Sequence, residues 1–161
     1  MDAPDGISLI EPKLGGNSKQ TAKKAAEILL SMGQGYVVPT GPQRRHLLVA
    51  FAERGLTLYG QAYDIIRGPS ELSLDDPGSI RRHFDDLLVF EIKSTDNLKV
   101  GEDFSRHFFS ISTAELLTAQ NLRHRYRFVF VNVRTRNVME CSLQEVYGKA
   151  RGIYPTWSIQ F

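Results

Sequence analysis

The chain has 161 residues, is 42% hydrophobic and 24% charged, and carries a formal net charge of +2. That is the size of one ordinary domain, long enough to bury a core without staples, and the composition excludes a largely disordered or fibrous chain. Its longest apolar runs, 47–51 and 87–90, are too short to span a bilayer, and a lone Cys141 with no secretory signal pattern sets the expectation of a reducing, cytoplasmic setting.

Residues 1–16 carry Pro4, Gly6, Pro12, Gly15 and Gly16 and read as an irregular arm, leaving 17–161 as one domain. Asn17 with Gln20 has the spacing of a capping box, and Ala22, Ala25, Ala26, Leu29 and Met32 form one apolar stripe. The pattern predicts a helix that ends at Gly33 and Gly35. Residues 36–39 read as a short strand. Residues 43–54 read as a helix, with Leu47, Leu48 and Phe51 on one face and Gly55 as its stop. A strand is expected over 56–67, with a turn at Gly60, and then a Pro/Ser/Asp/Gly-rich loop over 68–84 holding a short helix at 79–84.

The strongest strand is 87–94, because Leu87/Val89 and Leu88/Phe90/Ile92 make both of its faces apolar. A polar loop over 96–106 leads to a short strand at 107–111. Ser112 with Glu115 then forms a second capping box, opening a helix to about Asn121. Residues 126–133 read as a strand, 137–141 as a weaker one, 143–151 as a final helix, and the tail containing Trp157 as an extended segment. The expected class is α/β: a mixed central sheet flanked by helices, in α-β-β-β-α-β order, with a helix inserted after the first strand.

Chemistry concentrates at the far end of the strongest strand, where Glu91, Lys93 and Thr95 share one side. A carboxylate and an ammonium inside a fold are costly unless paired or bound to something. A second acid comes from upstream, in Tyr63-Asp64-Ile65-Ile66. If the two strands pair, Asp64 and Glu91 point at a common spot, and two carboxylates with waters and a phosphate oxygen are how Mg²⁺ is usually held. Lys93 is then placed to orient a water or neutralise charge developing on a phosphoryl group. A plain Glu91–Lys93 salt bridge is the simpler reading of the same residues. Asp85 and Asp86 lie about 17–20 Å along the strand from Glu91 by strand rise, too far to share an ion with it.

An Asp, a connection and then Glu-Ile-Lys within this element order resembles the PD-(D/E)xK phosphodiesterase superfamily, which includes restriction enzymes and archaeal Holliday-junction resolvases. More closely, Gln61-Ala62-Tyr63-Asp64-Ile65 followed by Phe90-Glu91-Ile92-Lys93-Ser94-Thr95 is similar to NO VEIN C-terminal-like domains. So are Phe109-Ser110-Ile111-Ser112 with Glu115, and Tyr126-Arg127-Phe128-Val129-Phe130-Val131. The resemblance covers about 19–133 in element order and 55–133 in motif. It implies a restriction-endonuclease-like fold and Mg²⁺- or Mn²⁺-dependent hydrolysis of DNA, most simply double-stranded, in defence or repair. Asp64 and Glu91 would be the metal ligands, Lys93 would complete the catalytic set, and a homodimer or larger assembly could cut both strands. Many members carry an extra acid where Glu27 stands, although Glu27 lies off the apolar stripe, and Gln120 is a second supporting candidate. The chain departs from the pattern in having Tyr63 where proline is usual, and in a 27-residue step from Asp64 to Glu91. The alternative is a catalytically silent nuclease-fold module that binds DNA or a partner protein.

Thirteen of the twenty cations are arginine, whose planar fork suits phosphate and base edges. Arg44 and Arg45, Arg81 and Arg82, and Arg123, Arg125 and Arg127 are the candidate nucleic-acid contacts, the last three alternating onto one side. Each cluster also reads as ordinary surface charge. The histidines lack ligand spacing for zinc, and no phosphate-binding glycine loop or dinucleotide fingerprint is present. Cys141 reads as a small buried residue, and the apolar tail over 153–161 as either a last core strand or an interface.

Overall fold

The computed structural model describes residues 18–157 and 159–161, so the expected arm and the Asn17 cap lie outside the described residues. In chain order the elements are α1 (Ser18–Ser31), β1 (Tyr36–Val37), α2 (Gly41–Glu53), β2 (Ile65–Arg67), α3 (Pro77–Arg82), β3 (Leu88–Thr95), α4 (Thr113–Leu122), β4 (Tyr126–Asn132), β5 (Val138–Cys141) and α5 (Leu143–Lys149). The strands form one five-stranded mixed sheet in the order β1-β2-β3-β4-β5. β1 to β3 run antiparallel, β3 and β4 are parallel, and β4 turns back into β5. A parallel neighbour needs a crossover, which α4 and the segment before it supply. The class is α/β with a mixed sheet, as the sequence predicts.

The sheet buries both faces. On one, Ala25, Ile28 and Leu29 of α1 pack on Tyr36, Ile65, Phe90, Ile92, Val129 and Val131. On the other, the buried residues of α2, α3, α4 and α5 close over Val89, Phe128 and Phe130. This two-sided burial explains why β3 reads as apolar on both alternating sets. Three helices start on the same device, a capping box: Thr40 with Gln43, Ser112 with Glu115, and Ser142 with Glu145. Gly35 sits at φ +82°, where a Cβ would lie 2.4 Å from the Gly68 carbonyl oxygen, so only glycine fits between β1 and the end of β2.

Four local expectations are corrected. Of the strand expected over 56–67, only Ile65–Arg67 forms. The carbonyls of Gly60, Ala62, Tyr63 and Asp64 are taken by side chains of Arg44 and Tyr126, which leaves them no ladder. Residues 107–111 form no strand, because β4 already has β3 and β5 on its two edges. Phe109 nevertheless packs on Phe130 at 4.9 Å between ring centroids. The helix after the long loop begins earlier, at Pro77, because Asp76 caps it. Finally, Ile153, Tyr154, Trp157, Ile159 and Phe161 are all exposed, so the tail is not a core strand. Cys141 is buried, as expected.

Candidate active site

Asp64 is set by the irregular segment before β2. Arg44 of α2 donates from Nη1 to the carbonyls of Gly60 (3.0 Å) and Tyr63 (3.1 Å), and from Nη2 to that of Asp64 (3.2 Å). Its guanidinium also lies 4.4 Å from the Tyr63 ring centroid. The Tyr126 hydroxyl donates to the Ala62 carbonyl from below. With its carbonyls held, the segment delivers Asp64 to the edge of β3. There its N–H donates to the Phe90 carbonyl (2.9 Å), and its Oδ2 accepts the Ile92 N–H (2.9 Å).

Glu91 and Lys93 share the face of β3 that lies against α4, since their register partners on β4 are Phe128 and Phe130. The Lys93 ammonium donates to Glu91 Oε1 at 3.1 Å and to Glu115 Oε2 at 2.7 Å. All three side chains are nearly buried, at 10–12% exposed. Burial pushes the Glu91 carboxyl up to about 8; the Lys93 charge opposes the shift, and the nearby Asp64 and Glu115 carboxylates add to it. Two acids therefore share a single ammonium, and Asp64 lies close enough to Glu91 for its charge to be felt there.

Glu115 is a member of the site that sequence reasoning set aside. The capping box explained its spacing from Ser112, and nothing in the sequence says that the same Oε2 which accepts the Ser112 N–H (3.1 Å) also reaches Lys93. His107 lies close as well. Its ring is stacked on Phe109 and edge-on to Phe130, its Nε2 is buried with no hydrogen-bond partner, and burial together with the Lys93 charge lowers its pKa.

The supporting candidates are not brought together. Glu27 is exposed on α1, which packs the opposite face of the sheet, so it is corrected out of the site. Gln120 is exposed on α4, five residues past Glu115, and points away from it.

The arginines do not form one basic face either. Arg44 is spent on the segment before Asp64. Arg81 pairs with Glu53 and Arg82 with Asp76. Arg123 and Arg125 lie in a 3-10 turn, which removes the strand alternation expected of them. Arg125 donates to the Phe84 carbonyl and to Asp85, while Arg127 faces Glu140 and Glu145 on the α1 side. Arg45 and Arg123 are exposed. Arg45 lines an open cavity of about 180 Å³ with Arg44, Leu48, Leu58, Gly60 and Tyr63, the residue preceding Asp64.

Among the described residues, no group of three or more His, Cys, Asp or Glu side chains is arranged to hold a metal ion. A divalent ion here would rest on two carboxylates, Asp64 and Glu91. That donor set is sufficient for Mg²⁺, and the excess of acids over the one lysine suits a cation. No described helix is long and apolar enough to cross a membrane. No protein-family model, curated protein or solved structure matches the chain.

Proposed function

We propose that this protein is a divalent-metal-dependent nuclease with a restriction-endonuclease-like core, which hydrolyses DNA phosphodiester bonds. The observation that carries the reading is the meeting of Asp64, from an irregular segment, with Glu91 and Lys93 on one face of β3. The order α1-β1-β2-β3-α4-β4, with α2 inserted after β1 and the short α3 between β2 and β3, also supports it.

Asp64 and Glu91 would hold Mg²⁺ or Mn²⁺. When bound, such an ion supplies charge neutralisation at the phosphate and acidifies nearby water. The chain's own residues do the rest. Asp64 is kept in place by the Ile92 N–H, and Arg44 fixes the backbone on which it stands. Lys93 carries a charge that is almost wholly removed from water, so it acts at short range on the phosphate charge that develops during in-line attack. The test is cleavage of plasmid and single-stranded DNA with Mg²⁺ or Mn²⁺, wild type beside Lys93→Ala. Metal-dependent cutting lost in the variant supports the reading; equal cutting by both proteins removes Lys93 from it.

One observation favours a silent binding module instead: Lys93 is bonded to two carboxylates, a pairing that is sufficient to hold a buried ammonium as a structural group. Calorimetry separates the two. Mn²⁺ uptake that disappears in Asp64→Asn belongs to the enzyme, whereas DNA binding indifferent to metal belongs to the module.

A further inference from the structure

We infer that Glu115 is a positioning residue of this site: it gives the Lys93 ammonium a second carboxylate, so that Glu91 can turn to a divalent ion without leaving the lysine unpaired. The inference rests on the metal-dependent reading above. Lys93 is 10% exposed, and an ammonium that far from water is costly without a partner. Glu91 shares one carboxylate charge between the lysine, which holds its Oε1, and any ion, so what it gives to the ion it withdraws from the ammonium. Glu115 offers the alternative, and already makes the shorter of the two contacts, 2.7 Å against 3.1 Å.

Capping alone does not account for Glu115. The chain contains its own control, because Ser142–Glu145 is the same box at the start of α5, and there the glutamate side chain is 56% exposed, against 12% for Glu115. At Thr40–Gln43 a neutral glutamine completes the box. Capping therefore needs neither the charge nor the burial found at Glu115. The residue is also held rigidly. Its Oε2 accepts the Ser112 N–H, its own N–H donates to Ser112 Oγ at 3.2 Å, and α4 is anchored behind it by buried Thr118, Ala119 and Leu122. A fixed carboxylate is the seat a lysine needs if its other partner is to leave.

The test is Mn²⁺ calorimetry on the full chain in a double-substitution cycle of Glu115→Gln and Lys93→Met. Glutamine keeps the capping box and removes the charge. Glu115→Gln should weaken Mn²⁺ binding by about tenfold when Lys93 is present and have little effect in the Lys93→Met protein, where no ammonium needs a seat. Equal weakening in both backgrounds would mean that Glu115 acts on the ion directly, and would overturn the inference. If wild type takes up no Mn²⁺, the metal reading falls and this inference with it; uptake with additive effects sinks the inference alone. Should Glu115→Gln fail to fold, Glu115→Asp, which keeps the charge but draws it back by one methylene, runs through the same cycle with the same expected dependence on Lys93.

Discussion

On the α1 face of the sheet, Glu140 accepts from Tyr36 and Arg67, while Arg127 stands between Glu140 and Glu145. On the other face, Lys93 alone stands between Glu91 and Glu115, with Asp64 beside them. The second cluster is nearly removed from water, the first only partly, and both tie several elements together. The first is balanced in charge, two guanidiniums against two carboxylates, although the buried Arg127 Nε has no hydrogen-bond partner. The second has more acids than cations; burial pushes the Glu91 carboxyl up to about 8, and the neighbouring Asp64 and Glu115 carboxylates add to the shift. A closed ion network belongs to the architecture, whereas a frustrated one leaves charge for a ligand to neutralise.

The sharpest way to break this comparison is catalytic. Glu91→Ala and Lys93→Ala should each lower the initial rate of metal-dependent plasmid nicking by about a hundredfold or more, while Glu140→Gln leaves it near wild type. An equal loss from Glu140→Gln would erase the distinction between the faces.

Stability should respond in the opposite sense. By urea denaturation, Glu140→Gln should cost about 2 kcal/mol, since it removes the charge that Arg67 and Arg127 face and leaves a single acceptor oxygen where Tyr36 and Arg67 now use two. Glu91 behaves differently because its carboxyl is raised from an ordinary 4.5 to about 8 on folding. Its contribution to stability is intact below pH 4.5 and is lost as pH rises towards 8, because the folded chain holds the proton more tightly than the unfolded one. Without metal, the stability of Glu91→Gln relative to wild type should therefore improve between pH 5 and pH 8.5. A difference that stays flat with pH would remove the frustration argument.

Smaller effects separate neighbouring arginines. Arg44→Ala removes three bonds to backbone carbonyls and should cost about 1–3 kcal/mol and weaken Mn²⁺ binding, read by denaturation and calorimetry. Exposed Arg45→Ala should change stability by less than about 0.5 kcal/mol. Smallest of all, Arg45→Ala or Arg123→Ala should flatten the salt dependence of DNA binding by about one unit of slope, whatever the DNA sequence.

How much of the site was legible depends on whether a residue's partners are local. Glu91 and Lys93 share a face because strands alternate, so spacing alone placed them together. Ser112 and Glu115 cap α4 because the box is a three-residue device. Arg44, by contrast, read as a surface cation in a cluster and is a clamp on a segment sixteen to twenty residues away. Glu27 read as a supporting acid and lies on the far side of the sheet, because α1 packs there. The 56–64 part of the strand expected over 56–67 had suitable apolar residues, but side chains from α2 and β4 took the carbonyls that a ladder would need.

The sequence by itself determined the α/β class, most of the helix and strand order, the two-sided burial of β3 and the face that Glu91 shares with Lys93, because periodicity and capping are properties of neighbours along the chain. Only the tertiary structure decided that Glu115 completes the cluster, that Arg44 holds the backbone of Asp64 and which carbonyls and carboxylates the other candidate arginines meet. Those outcomes depend on which helix covers which face and on which carbonyls remain without a ladder partner. No local pattern records either, since both arise from contacts between segments far apart in sequence.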